Sequence, residues 1–283
     1  MRAKFWEKVF TGIFWFSGIL VFIILLGFLG HILYNGLPII SADFITKKSL
    51  ELSAGGGVGG QLFNSFYILA ISMGLALPLS VGAGIYMSLY APANKYTYIL
   101  RLSIESLASI PSIVLGLFGM MIFVNYLGFG FSILSGGLTM LLLNLPMLVR
   151  VTEESINTVP KTYYEASIAL GATKWHTILK VILPSALSNI LTGVTLTAGR
   201  ALGETAILIF TAGASASRHV GDVDPFAGGA TLAVHMWYTS TTALMPDKTD
   251  ITNGSAALLI LIILVLNLGL LIPKKLLSNK GLS

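Results

Sequence analysis

Apolar residues in this chain run in long unbroken stretches separated by short polar segments, with little of the alternation that marks half-buried strands. Six runs approach or exceed the roughly 20 residues an apolar helix needs to cross a hydrocarbon core. They lie at roughly 11–34, 62–90, 104–127, 131–149, 181–212 and 255–273. The pattern predicts an all-α integral membrane protein with six transmembrane helices. The first run follows "MRAKFWEK"; it is too long for a signal peptide and no small-residue cleavage site follows it, so it reads as a retained anchor.

Composition agrees: 55% of residues are hydrophobic and only 10% charged, with a mean hydropathy of +0.85, which excludes an ordinary soluble domain. A pI near 9.3 in such a chain speaks first to membrane orientation and does not imply nucleic acid. Of the 17 Lys and Arg residues, 12 fall on one side: Arg2, Lys4, Lys8, Lys95, Arg101, Arg150, Lys161, Lys174, Lys180, Lys274, Lys275 and Lys280. Four fall on the other, Lys47, Lys48, Arg218 and Lys248, and Arg200 lies inside a span. The positive-inside rule then places both termini in the cytoplasm. The chain has no cysteine, which excludes disulfides and thiol chemistry, and His31, His176, His219 and His235 lack metal-ligand spacing, so no metal site is expected.

Two outer segments follow from this topology, 35–61 and 213–254. The first carries "SAGGGVGGQ", which lacks the Lys-Ser/Thr of a phosphate loop and follows no strand, and so reads as a flexible connector. The second carries Asp222, Asp224, Asp247 and Asp250. No repeat and no compositional break divides the chain, so residues 1–283 read as one domain.

The polar segment "EASIALGATKWHTILKVILP", 165–184, falls in the cytoplasm. A short helix through Leu170 is ended by Gly171 as a left-handed cap, and Thr173 is the N-cap of a second helix. Trp175, Ile178, Leu179 and Ile182 are expected on one face of that helix, and Pro184 to turn the chain into the fifth span. The physical alternatives are a helix pair lying on the membrane surface and a docking knuckle for a cytoplasmic partner.

Charges within spans are costly, about 2.5 to 3.5 kcal/mol at a helix centre, and normally face protein or a water-filled path. Arg200 and Glu204 are four apart and are expected on one face of the fifth span, about 24 Å from Pro184. Either they pair and lock helices together, helped by close approach at Gly199 and Gly203, or Arg200 offers its donors to a passing oxyanion while Glu204 holds it in place. The path role is favoured because ionisable residues within the membrane are functional by default. Arg101 and Glu105, also four apart, read as an interfacial pair, and Ser72, Ala76, Ser80 and Gly84 as a helix-packing stripe.

The spacing Glu165-Ala166-Ser167, Gly171 and Val181-Ile182-Leu183-Pro184 resembles the "EAA" loop of binding-protein-dependent ABC importer permeases, with Ser167 and Val181 in place of the commoner Ala and Ile. "PLSVGAGIYMSLYA" (78–91), "IPSIVLGLFG" (110–119), "LPMLVRVTEESINTVP" (145–160) and "GRALGETAILIFTAG" (199–213) resemble the phosphate-specific permeases, nearest to their A subunit, the PstA type. Leu89 stands where that family usually has an acid, and Ile207 where it usually has Pro.

The resemblance implies a type I (MetI-like) permease fold with its coupling loop at about 161–184. It further implies that Glu165, Ala166, Gly171, Leu183 and Pro184 engage an ATPase; the path role of Arg200 and Glu204 rests on their charge within the span. No catalytic residue and no bound cofactor are expected in this chain, which has no Walker A sequence; ATP and Mg would belong to the partner ATPase.

The implied partners are a second, PstC-like permease, two cytoplasmic ATPase subunits, an external phosphate-binding protein, phosphate and membrane lipid, with no nucleic acid. The implied place is a prokaryotic cell membrane, crossed several times. Alternatives are a permease for molybdate or sulfate, an ion-coupled secondary transporter, or a membrane scaffold.

Overall fold

A computed structural model describes residues 2–50, 53–215 and 220–280, and side chains beyond residue 269 and at residues 2 and 3 are outside the description. Arg218 and His219 therefore lie outside the described residues, as do the side chains of Arg2, Lys274, Lys275 and Lys280. The described chain is helical. Its long elements are α1 (Arg2–Gly36), α3 (Gly59–Leu89), α6 (Ile133–Asn157), α9 (Leu183–Gly203) and α12 (Lys248–Lys280). Between them come α2 (Ala42–Thr46), α4 (Lys95–Ala108), α5 (Ser112–Gly119), α7 (Lys161–Ala169), α8 (Lys174–Thr177), α10 (Ala206–Thr211) and α11 (Leu232–Thr241).

Five helices are long and apolar enough to cross a membrane unbroken: Lys4–Ile39, Gly59–Leu89, Ile133–Asn157, Lys174–Gly203 and Lys248–Gly269. The expected third span is different. α4 and the helix Ser112–Tyr126 meet at 96°, so residues 104–127 are not one straight helix. Pro111 supplies the break: it cannot donate to the α4 ladder, and it opens α5 at a position where a missing N–H is harmless. The expected fifth span also departs from the reading, because it ends at Gly203 and resumes as α10 only after Glu204 and Thr205.

At the centre α3 lies along α6. With lipid tails as apolar as the side chains, helices gain little from hydrophobicity and associate through close packing and shared polar groups. Ser72, Ala76, Ser80 and Gly84 are all buried on α3. Asn144 donates from Nδ2 to Ser72 Oγ at 2.9 Å. Gly84 is where the helices approach most tightly, since a Cβ there would come within 2.6 Å of Thr152. α9 packs against the other flank of α6, where Gly193 admits Val151.

Four apolar clusters follow along the bundle: an outer layer around Phe44, Val58, Leu232 and Ile251; a middle layer around Ile68, Leu115, Met140 and Ile207; a smaller cluster around Met73, Ala76, Leu148 and Ala198; and an inner layer around Ile85, Ile156, Ile178 and Ile190. α1 stands apart, with none of its apolar window buried, and meets α12 near Gly36, Asn253 and Ala257.

The outer segments are built structures. Residues 53–61 do not form a flexible connector: Val58 N–H donates to Phe44 O at 2.7 Å and Gly59 N–H to Lys47 O at 3.0 Å, folding the chain back on α2. Val58 is fully buried, and a Cβ on Gly57 would sit 2.6 Å from Lys47 O, so glycine serves close approach here. The second segment, 213–254, contains the buried face of α11 and is tied to the first by Gly55 N–H donating to Asp247 Oδ2 at 2.8 Å.

The amino ends of α3, α6 and α12 thus lie with these outer segments, and Lys95, Arg101, Arg150, Lys161, Lys174 and Lys180 gather at the opposite end, as the charge census requires. A reporter fused after Lys280 is expected to be cytoplasmic and one inserted beside Asp224 external. Protease or thiol-reagent protection in intact cells reads the outcome, and a reversed pattern would overturn the orientation.

Candidate coupling knuckle and charged path

α7 begins after Pro160 and ends in a Schellman motif. Gly171 N–H donates to Ile168 O at 2.9 Å and Ala172 N–H to Ser167 O at 3.2 Å, which satisfies carbonyls the helix would otherwise leave open. This geometry requires the φ of +87° that Gly171 adopts. Thr173 caps α8 by accepting from His176 N–H at 3.3 Å. A link the sequence did not reveal joins the two helices: Ser167 Oγ and Thr177 Oγ1 are 2.8 Å apart, so the Ser that stands for a commoner Ala is used as a tie.

Nothing on α7 is buried. Glu165 and Ala166 are exposed, and Leu170 at 90% and Trp175 at 58% leave an apolar rim uncovered.

The face expected for α8 divides. Ile178 and Ile182 are buried in the inner layer, whereas Trp175 and Leu179 are exposed. The cause is a π turn at Ile178–Ile182, which widens the helix and separates the two i, i+4 pairs. Pro184 does not turn the chain; it sits in the first turn of α9 within one continuous helix, Lys174–Gly203. The change from π to α hydrogen bonding already disrupts the ladder there, so a residue without an N–H is tolerated. Leu183 packs on the inner layer and Pro184 is exposed.

Arg200 occupies the last turn of α9 and is exposed. The helix ends at Gly203, and Glu204 follows with extended backbone (φ −69°, ψ 128°). The expected i, i+4 pair on one helix face therefore does not form. No carboxylate among the described residues lies within 4.0 Å of Arg200. Close approach at the two glycines is also absent: a Cβ on Gly199 would make ordinary contact with Ile263 at 3.5 Å, and Gly203 faces open space. The free carbonyls of the last turn carry partial negative charge, which favours a cation there.

α10 resumes by packing on α5, where a Cβ on Gly116 would be 3.0 Å from Ile207 Cα. The bend before α5 and the break after α9 border the same core layer, that of Leu115, Ala201 and Ile207, with Ile110 at its edge. Irregular backbone at membrane depth is tolerated where protein or a water-lined cavity satisfies it.

Nearer the cytoplasm, Arg101 does not pair with Glu105. Its guanidinium meets Glu153 Oε1 of α6 at 2.6 Å, and Arg150 pairs with Glu154 at 2.8 Å. These groups, with Glu105 and Asn157, line an open cleft of about 250 Å³.

The family described as "binding-protein-dependent transport system inner membrane component" matches residues 80–280. A probable ABC transporter permease of Bacillus subtilis, YqgI, is 44% identical over 99% of this chain and 100% of its own. The phosphate transport system permease PstA of Haemophilus influenzae is 32% identical over 92% and 88%.

Among solved structures, a bacterial ABC transporter that imports the polysaccharide alginate shares the fold at a TM-score of 0.66 and 12% identity, covering 96% of this chain and 98% of that one. The MetNI methionine transporter does so at 0.60 and 20%, covering 78% and 94%. The chain thus belongs to the binding-protein-dependent inner-membrane components, the multi-pass permeases of ABC importers, and is a transport subunit, not an enzyme.

Proposed function

We propose that this permease is the PstA-type half of an ATP-driven phosphate importer in a prokaryotic cell membrane. The observation that carries the reading is Arg200: a guanidinium with no carboxylate within ion-pair distance among the described residues, exposed at the end of a helix that stops inside the expected span. The phosphate permeases among its relatives support the same substrate.

In this reading phosphate arrives from an external binding protein and passes between this chain and a PstC-like permease. The Arg200 guanidinium offers several donors in a planar fork to a tetrahedral oxyanion and compensates its charge where water is scarce. Glu204, half-buried just beyond the helix end, lines the path as a like charge that keeps the anion from resting too long. Two ATPase subunits bind ATP and Mg and press on the knuckle, with Glu165, Ala166 and Gly171 at the contact. Leu183 and Pro184 carry the push into α9, and the spans tilt between outward and inward openings.

The test is uptake by proteoliposomes holding the complete complex, with ATP inside and the binding protein outside. Labelled phosphate is expected to accumulate only when both are present, and excess sulfate or molybdate to leave it unaffected. ATP-independent uptake, or accumulation of molybdate or sulfate in place of phosphate, would overturn the reading.

A further inference from the structure

Lys174 is an odd residue for its place. It is the first residue of the helix that runs Lys174–Gly203, where the unpaired N–H groups carry partial positive charge and a cation is disfavoured. Its side chain turns away from its own helix to the inner end of α3. Nζ donates to Leu89 O at 2.9 Å and stands 3.8 Å from the centre of the Tyr90 ring. Leu89 is the last residue of α3, and Ala93 N–H, its partner had the helix continued, does not bond to Leu89 O, which leaves that carbonyl open to Lys174. A cation at the carboxyl end of a helix, stacked on an aromatic face, is favoured on both counts. Lys174 is half-buried, which strengthens both contacts.

The contact has a mechanical reach. Lys174 sits beside Thr173, which caps α8, and Ser167 and Thr177 bind α8 to α7. On the other side, α3 is fastened to α6 by Ser88 Oγ donating to Asn157 Oδ1 at 2.7 Å and by the close fit of Gly84 to Thr152. The knuckle therefore has three connections to the membrane bundle: the turn at 158–160 that joins α6 to α7, the continuous helix into α9, and Lys174 onto the inner end of α3.

We propose that Lys174 is a positioning residue for transport, carrying displacement of the cytoplasmic knuckle directly into the inner end of α3, beside the backbone routes into α6 and α9. This rests on the reading that an ATPase engages the knuckle. Without Lys174 the push is delivered to α6 and α9 alone, and ATP hydrolysis proceeds with poor transfer of motion to the inner end of α3.

This chain has no native cysteine, so with partners freed of reactive cysteines a pair of labels can be placed in it alone. In the complete reconstituted complex, spin labels at Ala93→Cys, just beyond α3, and at Ser185→Cys, in the first turn of α9, are each paired with a label at the outer Tyr126→Cys. All three positions are exposed. Distances are measured without nucleotide and with ATP trapped.

In the otherwise unaltered complex both distances are expected to change. In Lys174→Met the change at Ser185 persists, the change at Ala93 is lost, and substrate moved per ATP falls about tenfold, within the range of measured coupling between sites. The ATPase content of the complex stays constant. Lys174→Arg, which keeps the charge, donors and stacking, is expected to restore both readouts. Tyr90→Leu, which removes only the ring, is expected to reduce the Ala93 change without abolishing it.

An Ala93 change retained in both Lys174→Met and Tyr90→Leu would overturn the inference, as would loss of ATPase from Lys174→Met, which would make Lys174 a docking residue. No change at Ser185 in the unaltered complex would overturn the coupling reading and the inference with it. A cargo other than phosphate, with the label distances as expected, would leave the inference standing and remove only the substrate assignment.

Discussion

Arg200→Gln is expected to abolish ATP-driven phosphate uptake, by about 100-fold, while the complex still assembles. A charge at the centre of a bilayer costs about 2.5 to 3.5 kcal/mol on insertion scales, and each 1.4 kcal/mol is tenfold in an equilibrium. Removing the fixed compensating charge returns a cost of that order to the travelling anion. Glutamine keeps much of the length and some hydrogen bonding, so the loss reports charge and not shape.

The structure also separates this outcome from a purely structural role. Had Arg200 and Glu204 been an ion pair, Arg200→Gln would strand a carboxylate, and Arg200→Gln with Glu204→Gln would restore assembly and transport together. Glu204 lies outside the helix and beyond ion-pair distance, so the double variant is expected to remain inactive. The measurement is uptake by reconstituted single and double variants with subunit stoichiometry alongside. Full uptake by the double variant would sink the path role of Arg200.

Gly171→Val is expected to lower the ATPase content of the purified complex about tenfold, with the membrane-spanning part intact. A non-glycine residue in the left-handed region costs about 1 to 2 kcal/mol, enough for roughly a tenfold shift in population. A β-branched side chain is worse placed there than most. With open space around Gly171, crowding is not the cause; the backbone angle is. Gly171→Asn tolerates the same angle and is expected to retain most of the ATPase. Glu165→Lys, which reverses an exposed charge without touching the cap, is expected to weaken docking through the contact itself. Quantitative co-purification of the ATPase distinguishes the three, and wild-type yield for Gly171→Val would count against the cap as part of the docking surface.

How much of this was legible in the sequence depends on what each signal measures. Apolar runs measure solubility in lipid, so they located α3, α6 and α12 well. They carry no information on direction, so 104–127 and 181–212 read as straight spans although the first bends at Pro111 and the second breaks after Gly203. The Pro of "IPS" was the one local mark of the bend.

Cap residues act within a single turn, and the local reading of Gly171 and Thr173 agrees with the observed geometry for that reason. Pairings across helices were beyond reach: i, i+4 counting pointed Arg101 to Glu105 when the partner is Glu153, 52 residues away, and gave no hint of Asn144 with Ser72. The glycines at 55–60 looked like slack because sequence shows small side chains but not the carbonyls of α2 that need the space. At Arg200 the residue was found and its supposed partner was not, since a helix was assumed to continue through Glu204.

The π turn at Ile178–Ile182 makes the Lys174–Gly203 helix a crankshaft. A π turn is in effect one extra residue wound into an α-helix, and one residue corresponds to about 100° of rotation and 1.5 Å of rise. The throw angle between the exposed Trp175 at one end and Arg200 at the other is therefore close to that of an α-helix one residue shorter. Because the wide turn takes up its extra residue locally, deleting one residue between 178 and 182 would leave plain α-helix with its two ends in nearly their present phase, whereas deleting one from the α-helical stretch 186–199 would turn them out of phase by about 100°, leaving each end sound in itself and the timing between them wrong.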